Sequence, residues 1–87
     1  MASEEQEYQF IDGSSLSVNI VKAIAEFRDV EKHDIGPPLY EAIDTTALDR
    51  ISESVEEPAI IEFEYNGLKI VAQTDGKISI MERKVEI

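Results

Sequence analysis

His33 is the single histidine of the chain, and no cysteine accompanies it. A nitrogen–sulfur metal site draws three or four such ligands. His33, in a polar stretch beside Asp34, therefore reads as a solvated loop residue and not as a ligand or a base. Ser14, Ser15 and Ser17 invite a nucleophile reading. A nucleophilic serine needs a positioned base and an oxyanion hole, and no G-x-S-x-G turn is present. Turn and helix-cap chemistry accounts for these serines instead. Neither G-x-x-x-x-G-K nor G-x-G-x-x-G occurs, so nothing suggests a phosphate cradle. The acidic pairs Glu56-Glu57 and Glu62/Glu64 fall in a loop and on one face of an alternating strand, where carboxylates face water. No catalytic residue, metal site or cofactor is expected. The expectation is a domain that binds.

Two segments could form a contact. Gly36-Pro37-Pro38-Leu39-Tyr40-Glu41-Ala42-Ile43-Asp44 is the most distinctive run. Two prolines after glycine fix a sharp corner, with Leu39 and Ile43 turned to the core. Either that corner is a rigid interhelix connection and nothing more, or it presents Tyr40 beside Glu41 and Asp44 to a partner, exposed aromatics at fixed corners being common binding anchors. The second candidate is the outer face of the C-terminal sheet. There Ile60, Val71 and Met81 would sit among Glu62, Glu64, Lys69 and Gln73, either as a partner or homodimer patch or as a half-wet sheet. The last strand, running on through Val85 and Ile87, would offer an edge to another chain.

Elements to carry these residues can be read from the pattern. Met1 to Glu7 is acidic and expected to fray as a disordered N-terminus; residues 8–87 make a single domain. Tyr8-Gln9-Phe10-Ile11 reads as a short strand ahead of the Asp12-Gly13-Ser14-Ser15 turn cluster. A helix follows, with Ser17 as N-cap and Leu16 stapled onto Val21. Its i, i+3, i+4 stripe would be Val18, Val21, Ile24, Ala25 and Arg28, widened by Ile20 and Phe27, with Asn19, Lys22 and Glu26 opposite and an end near Asp29 or Val30. Pro38 suits the first turn of a helix, here a short one of a single turn or so over Leu39–Ile43. Asp44 or Thr45 would cap another, with Leu48 and Ile51 inward, ending at residues 52–54.

The C-terminal part carries the clearest signal. Ala59 to Tyr65 alternates, and Asn66-Gly67 is a strong two-residue hairpin signal. That turn pairs Tyr65 with Leu68, Phe63 with Ile70 and Ile61 with Ala72, and sets Glu64 opposite Lys69. The next connection decides which face is buried. A two-residue Asp75-Gly76 turn would send Ile78 and Ile80 to the wrong face. A three-residue Thr74-Asp75-Gly76 loop with a bulge pairs Ala72 with Ile78 and Ile70 with Ile80. The expected fold is α+β: a two-layer domain of antiparallel meander plus N-terminal strand, with one long and two short helices on one face.

Composition narrows the class further. The 87 residues carry 43% apolar and 31% charged residues, enough for one modest core. With no cysteine, stability comes from packing and hydrogen bonding. No apolar run approaches the ~20 residues that span a bilayer, and the acidic N-terminus is unlike a secretory signal, so a cytoplasmic protein without membrane contact is expected. Net charge is −11, from 19 acidic and 8 basic residues. Such a surface suits either a soluble acidic protein or a halophile's, where the Debye length falls to ~3 Å in molar salt. It disfavours nucleic acid, whose phosphates attract clustered Lys and Arg.

Taken together, the order of features resembles the halobacterial output domain, the first of the families given that name. The matching residues are the helix Ser17-Val18-Asn19-Ile20-Val21-Lys22-Ala23-Ile24-Ala25, then Pro38-Leu39-Tyr40-Glu41-Ala42-Ile43-Asp44 with Ala47-Leu48-Asp49. The hairpin Ile61-Glu62-Phe63-Glu64-Tyr65-Asn66-Gly67 and the following Lys69-Ile70-Val71 and Asp75-Gly76 complete it. The likeness spans about residues 8–81. The resemblance implies a small α+β domain of haloarchaea that serves as an output in signal transduction, with no catalytic residue to carry over. The implied partner is a protein of a signalling pathway, or a second copy. Two other classes stay open: a nucleic-acid-associated regulator, and a small-ligand sensor with a pocket between Tyr8, Tyr40 and Tyr65.

Overall fold

The structure, a computed structural model, describes residues 5–11 and 13–82. In chain order they form β1 (Glu5–Gln9), α1 (Leu16–Arg28), α2 (Thr45–Ser54), β2 (Ile60–Tyr65), β3 (Leu68–Gln73) and β4 (Lys77–Glu82). Single 3₁₀ turns at Lys32–Asp34 and Leu39–Glu41 lie between α1 and α2. The fold is α+β: a four-stranded antiparallel sheet in the order β1-β4-β3-β2, with two α-helices.

Both hairpins follow the turn chemistry. Asn66 (φ 46°) and Gly67 (φ 81°) both take the positive φ that a type I′ turn needs. The ladder then pairs Tyr65 with Leu68, Phe63 with Ile70, Ile61 with Ala72 and Glu64 with Lys69, as expected. Beyond β3, Gly76 at φ 104° forms the left-handed bulge, and its N–H donates to the Gln73 carbonyl at 3.0 Å. Ala72 accordingly faces Ile78 and Ile70 faces Ile80. All four are wholly buried, the outcome that the extra loop residue was needed to produce.

Gly76 has a second reason to be glycine. The chain leaving β1 crosses this loop, and the Phe10 N–H donates to the Gly76 carbonyl at 3.0 Å. A Cβ at position 76 would overlap the Phe10 carbonyl oxygen. This crossing also corrects the first strand, expected over Tyr8–Ile11. It runs Glu5–Gln9 and pairs with β4 from Glu5↔Met81 to Gln9↔Lys77. The ladder partner, not the apolar run, sets its limits. Glu5–Glu7, expected to be frayed, are strand, and Ile11 is 90% exposed.

Helix α1 begins earlier than expected. Ser15, not Ser17, is the N-cap, its hydroxyl accepting from the Val18 N–H at 3.4 Å. Leu16 is therefore the first helical residue, not a staple outside it. The buried residues are Leu16, Asn19, Ile20, Ala23, Ile24 and Ala25, which keep Ile20, Ile24 and Ala25 of the expected stripe but replace Val18. Asn19 turns inward, its amide nitrogen donating to the Ser14 carbonyl at 3.4 Å, and Val18 turns outward. Asp29, left-handed at φ 58°, ends the helix and donates its N–H to the Ala25 and Glu26 carbonyls.

Residues after Pro38 make one 3₁₀ turn, Leu39–Glu41, near the single turn or so expected over Leu39–Ile43. Leu39 is buried by it and Ile43 half-buried. Asp44 caps α2 as expected, accepting from the Ala47 N–H at 3.0 Å. Leu48 points inward but Ile51 stays 44% exposed, because α2 packs chiefly against α1. The core joins Leu16, Ile20 and Ile24 of α1 and Leu48 of α2 to the inner side chains of the sheet, Leu68 and Ile70 among them.

Candidate protein-binding surfaces

One surface is built on the helical side. Tyr65, buried at the end of β2, donates its hydroxyl hydrogen bond to the Pro37 carbonyl. Asn66 Nδ2 donates to the Gly36 carbonyl at 3.2 Å, and the Arg28 guanidinium donates to the Asn66 carbonyl at 3.0 Å. The β2–β3 turn thus clamps the Gly36-Pro37-Pro38 corner. The clamp holds the Leu39–Glu41 turn with Leu39 buried and Tyr40 68% exposed. Burial pushes the Tyr65 phenol above its ordinary pKa; the Arg28 charge works against this and Glu41 adds to it.

Facing Tyr40, the start of α1 is fixed by a bond that crosses the molecule. Asp49 of α2 accepts from the Ser17 N–H at 2.8 Å and from the Ser17 hydroxyl at 2.7 Å. A carboxylate on two donors in the first turn satisfies an orphan amide and complements the helix dipole. Between these walls lies a groove of about 380 Å³ lined by Ser17, Val18, Val21, Lys32, Leu39, Tyr40 and Thr45. Its walls are mainly apolar, and Val18 beside Tyr40 is 42% exposed. Tyr40, Glu41 and Asp44 come together as expected and line an adjoining hollow. The Asp44 carboxylate is occupied with capping α2.

The outer sheet face gathers the other expected set. Ile60 is 66% exposed, while Val71 and Met81 on the central strands are half-buried by their neighbours. Glu62 and Lys69 pair at 3.2 Å and Glu7 and Lys77 at 3.6 Å. A depression of about 420 Å³ opens among Glu62, Phe63, Glu64, Lys69 and Met81. The expectation of a free edge on the last strand is corrected: β4 is an interior strand, flanked by β1 and β3. Val85 and Ile87, which that expectation also used, lie outside the described residues. Among the described residues, the outer strands of the sheet are β1 and β2.

The three tyrosines do not share a pocket. Tyr8 stands on β1 and Tyr65 on β2, opposite edges of the sheet with two strands between them. Burial, with help from Glu26, also raises the Tyr8 pKa. His33 is exposed and lies 3.7 Å from Asp34. Among the described residues, no group of three or more His, Asp or Glu side chains is gathered to hold a metal ion. Among the same residues, no helix is long and apolar enough to cross a membrane.

Sequence reasoning missed Val18 and Lys32 as parts of the groove, and Asp49 as the side chain that holds Ser17 beside it. Asp49 stood in the quoted family run, but nothing local told that its partner is Ser17, 32 positions away.

The fold and these surfaces describe a small α+β domain with a four-stranded antiparallel sheet and two α-helices. The model of the family halobacterial output domain 1 matches residues 12–82 of the 87-residue chain, and the chain belongs to that family. No curated protein and no solved structure matches it.

Proposed function

We propose that this domain is a non-catalytic output module that works through protein–protein contact, and that the groove beside Tyr40 is where its partner docks. The observation that carries the reading is Tyr40 itself, 68% exposed on a turn that follows a corner held by Tyr65 and Asn66, facing Val18 and Val21 across an apolar groove. A rigid, pre-positioned tyrosine loses little entropy on binding, which is why such residues dominate interface energetics. The occupant is a protein segment with an apolar anchor for the groove and Lys or Arg for the rim. Glu41 and Asp44 line the adjoining hollow and Lys32 the groove, and the chain as a whole carries −11.

The setting proposed is the cytosol of a haloarchaeon. In molar salt the Debye length is ~3 Å, so rim charges select the partner only at contact distance and the apolar groove carries the affinity. The test is a photo-crosslinking amino acid at position 40, introduced in the native host, with adducts identified by mass spectrometry. One discrete protein adduct that disappears with Val18→Glu supports the reading. No adduct at position 40, alongside a clear one from position 71, moves the interface to the outer sheet face.

A further inference from the structure

We infer that the Tyr40 surface is polarised: its occupant is a protein segment whose apolar anchor is flanked by an acidic residue, set against Lys32, and by a basic one, set against Glu41. The inference rests on the groove being the docking site and adds to that reading the chemistry of the partner.

The charges still available around Tyr40 define the occupant. Tyr40 and Thr45 line both the groove and the hollow adjoining it, so the two form one continuous surface. Several polar groups there are already spent. The Ser17 N–H and hydroxyl go to Asp49, and the Asp44 carboxylate caps α2. Lys32 and Glu41 are different. Both are exposed, and neither forms an ion pair with a described residue. Asp34, in the same turn as Lys32, faces His33 instead. The contrast is sharp in a chain with 19 acidic and 8 basic residues. Arg28, Lys69 and Lys77 each have a carboxylate partner, while Lys32 stands beside an apolar groove without one.

Placement turns these two charges into a pattern. Lys32 belongs to the groove and not to the hollow, and Glu41 to the hollow and not to the groove. The ammonium and the carboxylate therefore mark different ends of the surface, with Tyr40 and Thr45 between them. An apolar anchor beside Tyr40 supplies the affinity. The flanking charges supply the selection, because exposed ion pairs add little binding energy whereas a like charge at contact repels. A wholly basic segment, which the net charge of −11 attracts from a distance, sets one cation against Lys32. A wholly acidic one sets an anion against Glu41. Only a segment of mixed sign meets both ends with the opposite charge.

The experiment uses three end-blocked synthetic heptapeptides built on a central phenylalanine in a serine background. One carries glutamate on one side and lysine on the other, the second lysine on both sides, the third glutamate on both. Each is titrated into the methyl-labelled full chain in molar potassium chloride, with the methyl resonances of Val18, Val21 and Leu39 reporting occupancy of the groove. The mixed peptide is expected to bind at least about threefold tighter than either other. Lys32→Glu should transfer the preference to the lysine peptide, and Glu41→Lys to the glutamate peptide. The two substitutions together should restore the mixed peptide. Both positions are exposed, so resonance dispersion should be retained, and each variant tests the pattern independently of the other. Equal binding of the three peptides, or a preference that does not follow the substitutions, overturns the polarity and leaves the docking site standing. No methyl shift with any peptide at millimolar concentration overturns both. Methyl shifts that grow with protein concentration alone also overturn the proposal, since a second copy then fills the groove.

Discussion

Replacing Asp49 by alanine should loosen the first turn of α1 and, with it, one wall of the groove. The carboxylate accepts at 2.8 Å from the Ser17 N–H and at 2.7 Å from its hydroxyl. A hydrogen bond to a charged group contributes ~1.5–3 kcal/mol, but Asp49 and Ser17 are only half-buried and water recovers part of that. Loss of a helix cap costs about 0.5–2 kcal/mol. The local Ser15 cap, at 3.4 Å, is the longer bond and a poor substitute. Together these set the cost of Asp49→Ala at about 1.5–3 kcal/mol. That is a large share of the ~4–13 kcal/mol expected for a domain of this size. Ser17→Ala gives up the hydroxyl bond alone and should cost about 0.5–1.5 kcal/mol. The double variant should cost about what Asp49→Ala costs by itself, because the hydroxyl has then lost its acceptor already. Urea unfolding reads this directly. With a slope near 1 kcal/mol per molar, about the low end for small domains, the midpoint of Asp49→Ala should fall by about 1.5–3 M. A shift under about 0.5 M, or strict additivity of the two substitutions, would refute the idea that this carboxylate holds the helix start.

Further outcomes are expected from the same structure. Gly76→Ala forces a Cβ against the Phe10 carbonyl at a φ of 104°, so it should destabilise by at least ~2 kcal/mol in the same urea assay. Tyr65 and Tyr8 have raised pKa values in the folded protein, from burial first. Their unfolded forms lose the phenolic proton at lower pH, so stability should be flat below the unfolded tyrosine value near pH ~10 and fall above it. Thermal melts through the alkaline range should show that fall reduced in Tyr65→Phe. Val71→Glu, on the half-exposed outer face, should change stability by less than ~1 kcal/mol. Light scattering coupled to gel filtration in molar potassium chloride then tests self-association, which is expected to depend on Val71 if the outer sheet face is a dimer surface. Raising salt from 0.1 to 2 M should raise the melting temperature, since it screens the self-repulsion of a chain with net charge −11.

Strand order, register and turns were legible in the C-terminal half for a physical reason. Alternation in Ile61, Phe63 and Tyr65, the Asn66-Gly67 turn and the Gly76 bulge each constrain the same ladder, and all three agree. Asp44 was legible as a cap because capping is local, a side chain meeting an amide three residues on. The edges of β1 and α1 were not. Glu5 and Glu7 have weak strand propensity, and only the waiting edge of β4 draws them into the sheet. Val18 carries the apolar character of a core residue, yet the Ser15 cap and the packing of Asn19 turn the helix so that it faces out.

The sequence by itself determined the class of fold, the family and the hairpin registers, since each follows from short-range chemistry or from a run of adjacent residues. Only the tertiary structure decided that β4 is interior and β2 is an outer strand, that Asp49 reaches Ser17, and that Val18 and Tyr40 face one groove. Those facts join residues tens of positions apart. Loop closure over such spans is set by packing of the whole core, and no local pattern in the chain records it.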